Sequence, residues 1–180
     1  MITRLRNVKP HSWVLTGVGV RESNIQGLGV FTSVDIPQDA VVVIWGGLVV
    51  TAEQFNSGLG LPHSNVGVDE NTFLVTPCGE DLGVDDYMNH SCDPSLWLTD
   101  QITLVTRRSI QAGEELTFDY AIELCDNQYV MKHPCNCGAS DCRKRITGLD
   151  WQLPSVQKAN ACHFSPFIQR RIDLQKMDSK

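Results

Sequence analysis

The sequence predicts a mostly β fold of several short strands, closed by a helix at the C-terminal end. Three observations carry that expectation. Short β-branched and aromatic runs recur through the first 120 residues, turn residues separate them, and the periodicity changes after Cys142. With 180 residues the chain is long enough to bury one core, so one domain with an appendage is expected.

Val30-Phe31-Thr32-Ser33-Val34 is the first strand candidate. Ala40-Val41-Val42-Val43-Ile44-Trp45 is β-branched and too short for a helix; Pro37-Gln38-Asp39 turns into it and Gly46-Gly47 ends it. Thr51-Ala52-Glu53-Gln54 has capping-box spacing, so a short helix starts there and Gly58 ends it. Residues 59–67 read as a surface loop. Phe73-Leu74-Val75, Leu96-Trp97-Leu98 and the run from Gln101 to Thr106, with Ile110, continue the short-strand pattern. Gly113 to Tyr120 reads as a turn followed by a short strand. At the other end, Ser165-Pro166 offers an N-cap and a first-turn proline. Phe167, Ile168, Ile172 and Gln175 follow at near-helical spacing, which gives a helix to about Lys176.

Hydrophobic content of 42% and charged content of 20% fit a soluble globular protein. No apolar run approaches the ~18 residues of a membrane-spanning helix. Met1 to Val20 carries Arg4, Arg6 and Lys9 but no unbroken apolar stretch, so it does not read as a secretory signal. The net charge of −6 is unevenly spread. From Glu22 to Thr106 there are twelve acidic residues and no Lys or Arg, whereas from Arg143 onward eight basic residues face three Asp. An acidic body disfavours nucleic acid as the main partner and attracts a basic peptide. Seven cysteines, an odd number, fit a reducing compartment and metal or catalytic use better than a disulfide framework, so an intracellular chain is expected.

Cys135-Asn136-Cys137 and Cys142 place three thiols within eight residues, in a turn-rich segment with Gly138, Ser140 and Asp141. A structural zinc takes four N or S ligands in a tetrahedron, so a fourth must come from elsewhere: Cys92, Cys125, His133, Cys78 and Cys162 are the candidates, and spacing does not choose among them. With little apolar material, the segment needs a metal to hold it folded. Asn89-His90-Ser91-Cys92-Asp93-Pro94 is a polar loop that by itself suits a metal site or a Ser-His pair equally. Gly27-Leu28-Gly29 lacks the third glycine and the helix of a dinucleotide fingerprint. Tyr120, at a strand end, is by itself more often packing than chemistry.

Taken together and in this order, these segments resemble the SET-domain protein lysine methyltransferases. Residues 25–31 resemble the family's first cofactor loop and 87–94 its central motif. Residues 115–120 resemble its tyrosine motif, and 134–143 its zinc-binding post-SET segment. The similarity covers roughly residues 15 to 150. It implies a β-clip-like fold of several small sheets, with the tyrosine segment threaded under a neighbouring loop in a pseudoknot-like crossing. It also implies a division into an N-terminal extension (1–14), a SET domain (15–125), a post-SET segment (126–150) and a helical C-terminal extension (151–180).

Carried over by position, the resemblance implies that backbone groups of Gly27, Leu28 and Gly29, with Asn89, His90 and Tyr120, hold S-adenosylmethionine. Tyr120 then sits where the methyl group meets the lysine amine, and Phe118, Tyr87 and Trp45 line the lysine channel. Cys92 completes one structural zinc site with Cys135, Cys137 and Cys142. Trp151 is a candidate lid over the cofactor, its simpler role being packing under the C-terminal helix. The implied activity is methylation of a protein lysine, on a histone tail or another protein. Phe118 stands where the family's Phe leaves room for a second or third methyl. The alternative is a catalytically silent SET domain that binds a lysine-bearing partner.

The chemistry agrees with that assignment. In-line methyl transfer needs an aligned neutral amine and a dry channel. A free lysine has a pKa of about 10.4, so its proton must be removed or its charged form disfavoured. Tyr120, with a reference value near 10, is a poor base and a better orienting group. Three positions depart from the family pattern: Ser95 replaces the usual Asn, Asp86 a common Arg, and Trp45 the usual Tyr. Arg143-Lys144-Arg145 and Arg170-Arg171 read as a solvated face, with nucleic acid as a secondary contact at most.

Overall fold

The structure, a computed structural model, describes residues 8–124 and 126–178. Ten short strands form three antiparallel sheets. In the four-stranded sheet the order is β1 (Trp13–Val14), β4 (Val41–Ile44), β9 (Thr103–Thr106) and β8 (Leu96–Leu98). The second sheet orders β10 (Glu115–Leu116), β3 (Leu28–Thr32) and β2 (Val18–Glu22). The third orders β5 (Leu48–Thr51), β7 (Thr72–Val75) and β6 (Val66–Asp69).

One core joins the three sheets. Val30, Val42, Leu74, Leu96, Leu104 and Leu116 are almost wholly buried in it, each delivered by the inward face of its strand. The polar exception is informative. Thr106 is fully buried, and its hydroxyl donates to the Pro37 carbonyl (2.6 Å) while accepting the Ala40 N–H (3.0 Å). That stitches the expected Pro37–Asp39 turn to β9 and fixes where β4 begins.

The helix expected at Thr51 is α1 (Ala52–Asn56). Thr51 accepts the Gln54 N–H and Gln54 answers by accepting the Thr51 N–H, a complete capping box. The C-terminal helix, α3, runs Pro166–Asp178 and packs on β6. Ser165 stands at its start but does not cap it with its side chain: the hydroxyl is buried without a partner among the described residues, and its carbonyl accepts the first helical bond, from Gln169. Phe167, Ile168 and Ile172 are fully buried, so this helix closes the core. A shorter helix, α2 (Pro154–Ala159), and a single 3₁₀ turn at Asp150–Gln152 precede it; the sequence pattern did not announce either, since each is too short to show a period. The expected 59–67 loop ends two residues early, at the start of β6, and β1, β2 and β5 were likewise unmarked by sequence.

The first strand and the start of the C-terminal helix are both tied to the body of the fold. Trp13 and Val14 pair with Ile44 and Val43, and the Ser165 N–H bonds the Ile122 carbonyl. No described helix is long and apolar enough to cross a membrane.

Candidate functional site

The site forms where the 89–96 loop and the 115–123 segment run side by side. A parallel bridge joins His90 to Phe118; the Ser91 N–H donates to the Phe118 carbonyl (3.1 Å) and the Leu96 N–H to the Thr117 carbonyl (2.9 Å). Ser95, buried between them, accepts the Thr117 N–H at 2.9 Å and lies 3.4 Å from the Thr117 carbonyl. One short hydroxyl thus serves both backbone groups of Thr117, which explains how this chain tolerates Ser at that position. Asp86 is likewise satisfied: it accepts the Gly83 N–H (2.8 Å) and the Thr76 hydroxyl (3.0 Å) at a 3₁₀ turn, Val84–Tyr87.

The loop expected to meet a cofactor is held from three directions. Asn89 Nδ2 contacts the Gln26 carbonyl (3.2 Å), the Leu28 carbonyl (3.0 Å) and Glu115 Oε1 (2.8 Å). Glu115 also accepts the Ser23 hydroxyl. A Cβ on Gly29 would lie 2.2 Å from Glu115 Oε1 and 2.9 Å from Ser23 Cβ, so any side chain there would break this cluster. Gly27 has φ +50° with open space beside it, a backbone conformation suited to glycine and a surface free to receive a ligand. Glu115 and Ser23 organise this loop; Ser23 escaped sequence reading, and Glu115 was read only as the start of the tyrosine motif, because a contact across 92 residues leaves no local signal.

His90 is 2% exposed and both ring nitrogens are engaged. Nδ1 accepts the Tyr120 N–H (3.2 Å), which places the ring proton on Nε2, 3.3 Å from Cys92 Sγ. Burial lowers its pKa to about 4, against the opposing pull of Asp119, so the ring is neutral and its 3.6 Å approach to Asp119 is not an ion pair. His90 is left to a ligand only through its backbone. Its side chain connects Tyr120 to the cysteine cluster.

In that cluster the sulfurs of Cys92, Cys135, Cys137 and Cys142 all lie within 4.8 Å of one another. A tetrahedron of thiolates around zinc has edges of about 3.8 Å, given a Zn–S distance of ~2.3 Å, so the four fit one ion with small adjustment. Of the rival fourth ligands, Cys78 is exposed and donates to the Gly58 carbonyl, Cys162 and His133 are exposed and apart, and Cys125 lies outside the described residues. Burial raises the Cys135 thiol to about 12 and also raises Cys92. In Cys137 burial works the same way, but N–H groups of Cys92 and Ala139 overcome it and bring the thiol to about 7. Four thiols this close do not all ionise without a cation, which is the donor set a divalent soft metal selects. The Arg143 N–H points at Cys92 Sγ (3.4 Å) and the Cys92 N–H at Cys137 Sγ (3.4 Å), the backbone support such sulfurs need.

Arg143, next to the last cysteine, ties this cluster to the tyrosine segment. Its guanidinium makes a two-pronged contact with Asp119 (2.8 Å each) and donates Nε to Asp150 (2.9 Å), and both carboxylates are buried. Asp119 in turn accepts the Ala121 N–H (3.0 Å) at the start of the 3₁₀ turn Tyr120–Ile122. Sequence reading placed Arg143 on a solvated basic face. The structure pairs it internally, and pairs Arg170 with Asp69 and Arg171 with Glu70 as well, so these three arginines form no free basic patch.

Beside the tyrosine segment lies a cavity of about 340 Å³, of the size that takes one small group or side chain. Trp45, Phe118 and Tyr120 line it together with Asp85, Asp86 and Glu123. Trp45 meets Phe118 edge-on at 5.6 Å, and Phe118 lies 5.1 Å from Tyr120. The Tyr120 hydroxyl donates to the Met88 carbonyl (3.0 Å), and burial, then Tyr129 and Glu123, raise its pKa, so it stays neutral. Tyr87 does not line this cavity; it packs on the core near β2 and β3. Trp151 is buried in the core, its indole N–H without a partner among the described residues and Arg171 over its ring.

The family model described as "SET domain" matches residues 27–121, more than half of the chain. The chain belongs to the SET-domain family. Among relatives, human histone-lysine N-methyltransferase 2D is 33% identical over 141 residues, covering 71% of this chain but only 2% of that protein. The chain thus spans a small part of that relative's length. Among solved structures, the methyltransferase domain of human SETMAR superposes with a TM-score of 0.58 at 19% identity, covering 73% of this chain and 58% of that one. Arabidopsis thaliana SUVH6, in complex with SAM, gives 0.60 at 17% identity, covering 73% and 33%. At these identities the structures establish the SET fold, and the mostly β arrangement in three small sheets agrees with it.

Proposed function

We propose that this SET domain transfers methyl groups from S-adenosylmethionine to the side-chain amine of a protein lysine. The observation that carries the reading is the cavity in which Trp45, Phe118 and Tyr120 form aromatic walls and Asp85, Asp86, Glu123 and Asp126 add carboxylates. Apolar walls fit a lysine's methylene stem, and acidic groups fit its charged end. The acidic stretch of the chain suits a basic peptide such as a histone tail as the substrate.

S-adenosylmethionine supplies an electrophilic methyl group on a sulfonium. The backbone at Gly27, Leu28 and Gly29 and the Asn89 amide form its cradle. Asn89 Oδ1 accepts no hydrogen bond from the described residues, which leaves an acceptor for the cofactor. Tyr120, neutral and anchored to Met88, orients the amine and excludes water. Zinc, held by Cys92, Cys135, Cys137 and Cys142, is structural: it fastens the post-SET segment, residues 126–150, against the SET portion. Trp151 braces that segment from within the core. A thiolate site of this kind suits an intracellular protein.

Phe118 supports di- or trimethylation, since it places no hydroxyl between Trp45 and Tyr120. Phe118→Tyr is expected to shift the product toward monomethyl-lysine with little loss of stability, as read by mass spectrometry of a saturated reaction. Ser95 and Asp86, the departures that would suit a silent binding module, are both satisfied by hydrogen bonds and give that alternative no support. The deciding experiment offers labelled S-adenosylmethionine with histones and, separately, total cell protein. Label on a lysine is expected. Cofactor binding by calorimetry with no label on either substrate would return the chain to the silent reading.

A further inference from the structure

Glu123 is a buried carboxyl that neither the zinc cluster nor the cofactor loop uses. It follows the 3₁₀ turn Tyr120–Ile122, and its N–H bonds the Tyr120 carbonyl (3.3 Å). Side chains three apart on such a turn eclipse, so Glu123 and Tyr120 face the same side, and both line the cavity. Among the described residues the carboxylate accepts one hydrogen bond, from the Gly67 N–H to Oε2 at 2.7 Å. That is thin support for a buried carboxylate, which ordinarily collects two or three donors or a cation.

We propose that Glu123 is the channel carboxylate that meets the incoming lysine ammonium and takes its proton, delivering the amine neutral to the methyl donor. The proposal rests on the lysine-methyltransferase reading above. The step balances: one N–H bond of the ammonium breaks, its electron pair stays on nitrogen, and the proton forms an O–H bond on Glu123. Water receives that proton after the methylated lysine leaves.

Burial holds the Glu123 carboxyl up to about 8, opposed only by the Gly67 hydrogen bond, so the side chain gives up and regains a proton near neutrality. Tyr120 and Tyr129 line the cavity with it; burial raises both their pKa values, Tyr129 and then this carboxyl add to the rise at Tyr120, and this carboxyl adds to that at Tyr129. Asp85, Asp86, Asp126 and His63 line the same cavity. Arg170, on α3, is paired with Asp69 of β6 and so is not the cation Glu123 lacks.

The test is the pH profile of kcat/KM on a lysine peptide, for wild type and Glu123→Gln. Gln still accepts the Gly67 N–H but cannot take a proton. If Glu123 is the acceptor, the wild-type profile rises to about pH 8 and flattens, because the productive pair is the carboxylate with the ammonium. The Gln variant starts at least about tenfold lower at pH 7.5 and keeps rising about tenfold per pH unit toward the lysine pKa of ~10.4. Parallel profiles for the two proteins, or a wild-type profile that climbs unbroken to pH 10, would overturn the proposal. The second outcome needs no variant, and equal S-adenosylmethionine affinity by calorimetry shows that the variant is folded. Wild type that methylates no lysine at any pH refutes the proposed function itself, whereas parallel profiles in an active enzyme refute only the role of Glu123.

Discussion

The two sides of Tyr120 are built on opposite principles. On the metal side the buried His90, Asp119 and Asp150 are all engaged: His90 bridges Tyr120 and Cys92, and Arg143 clamps Asp119 and Asp150. On the channel side, a few ångströms of backbone away, Glu123 is buried with one hydrogen bond and its pKa is displaced upward. Saturated networks hold one geometry. Under-partnered carboxyls stay ready to exchange a proton or accept a cation. One half of the site fixes positions and the other half titrates.

Removing the metal side should do the most damage. Cys92→Ser breaks the one ligand that joins the central loop to the post-SET cysteines. The loss should reach ~4 kcal/mol or more, a melting-point drop of about 10 °C, together with weaker S-adenosylmethionine binding by calorimetry. A variant that melts lower but binds the cofactor normally would show that the two halves are independent. Arg143→Met should follow closely, at about 3–5 kcal/mol by denaturant titration, because it strands two buried carboxylates. A loss below ~1 kcal/mol would mean the clamp is incidental.

Glu123→Gln probes the titrating half and should change stability in a pH-dependent way. The folded-state pKa of about 8 lies above the ordinary value of 4.5. The favourable contribution of the protonated form is therefore complete below pH 4.5 and is lost as pH rises through 8. Relative to the Gln variant, wild type should lose on the order of 2–4 kcal/mol between pH 4.5 and 9. Two melting curves that stay a constant distance apart over that range would contradict it. The smallest effect is expected from Ser95→Ala, about 1–2 kcal/mol by thermal melting, since it leaves the buried Thr117 N–H without an acceptor.

The fold class and the cysteine site were legible because local pattern encodes them. Capping-box spacing at Thr51 and three cysteines in eight residues are properties of short windows. Short strands such as β1 and β5 are not, because their pairing is decided by partners far along the chain. Arg143 misled for the same reason. Among Lys144 and Arg145 it looks like surface charge, and only folding brings Asp119 to it across 24 residues. Glu123 was invisible for another reason: an isolated Glu after a strand carries no signal until burial strips its water. Spacing left the fourth zinc ligand open among five candidates; the family resemblance named Cys92, and the fold brings its sulfur beside the triplet.

The metal cluster also bears on how the chain reaches this structure. Three sulfurs lie within one tight turn and can grip an ion as soon as that turn is made, whereas Cys92 must close a loop of about 45 residues to join them. Ser23 and Glu115 must close one of 92. Closures of this length place the chain at the slow end of domain folding. An ion already seated on the triplet offers Cys92 a bond strong enough to hold such a loop shut. A zinc ion held by the triplet would thus favour closure of that long loop as well as hold the finished site.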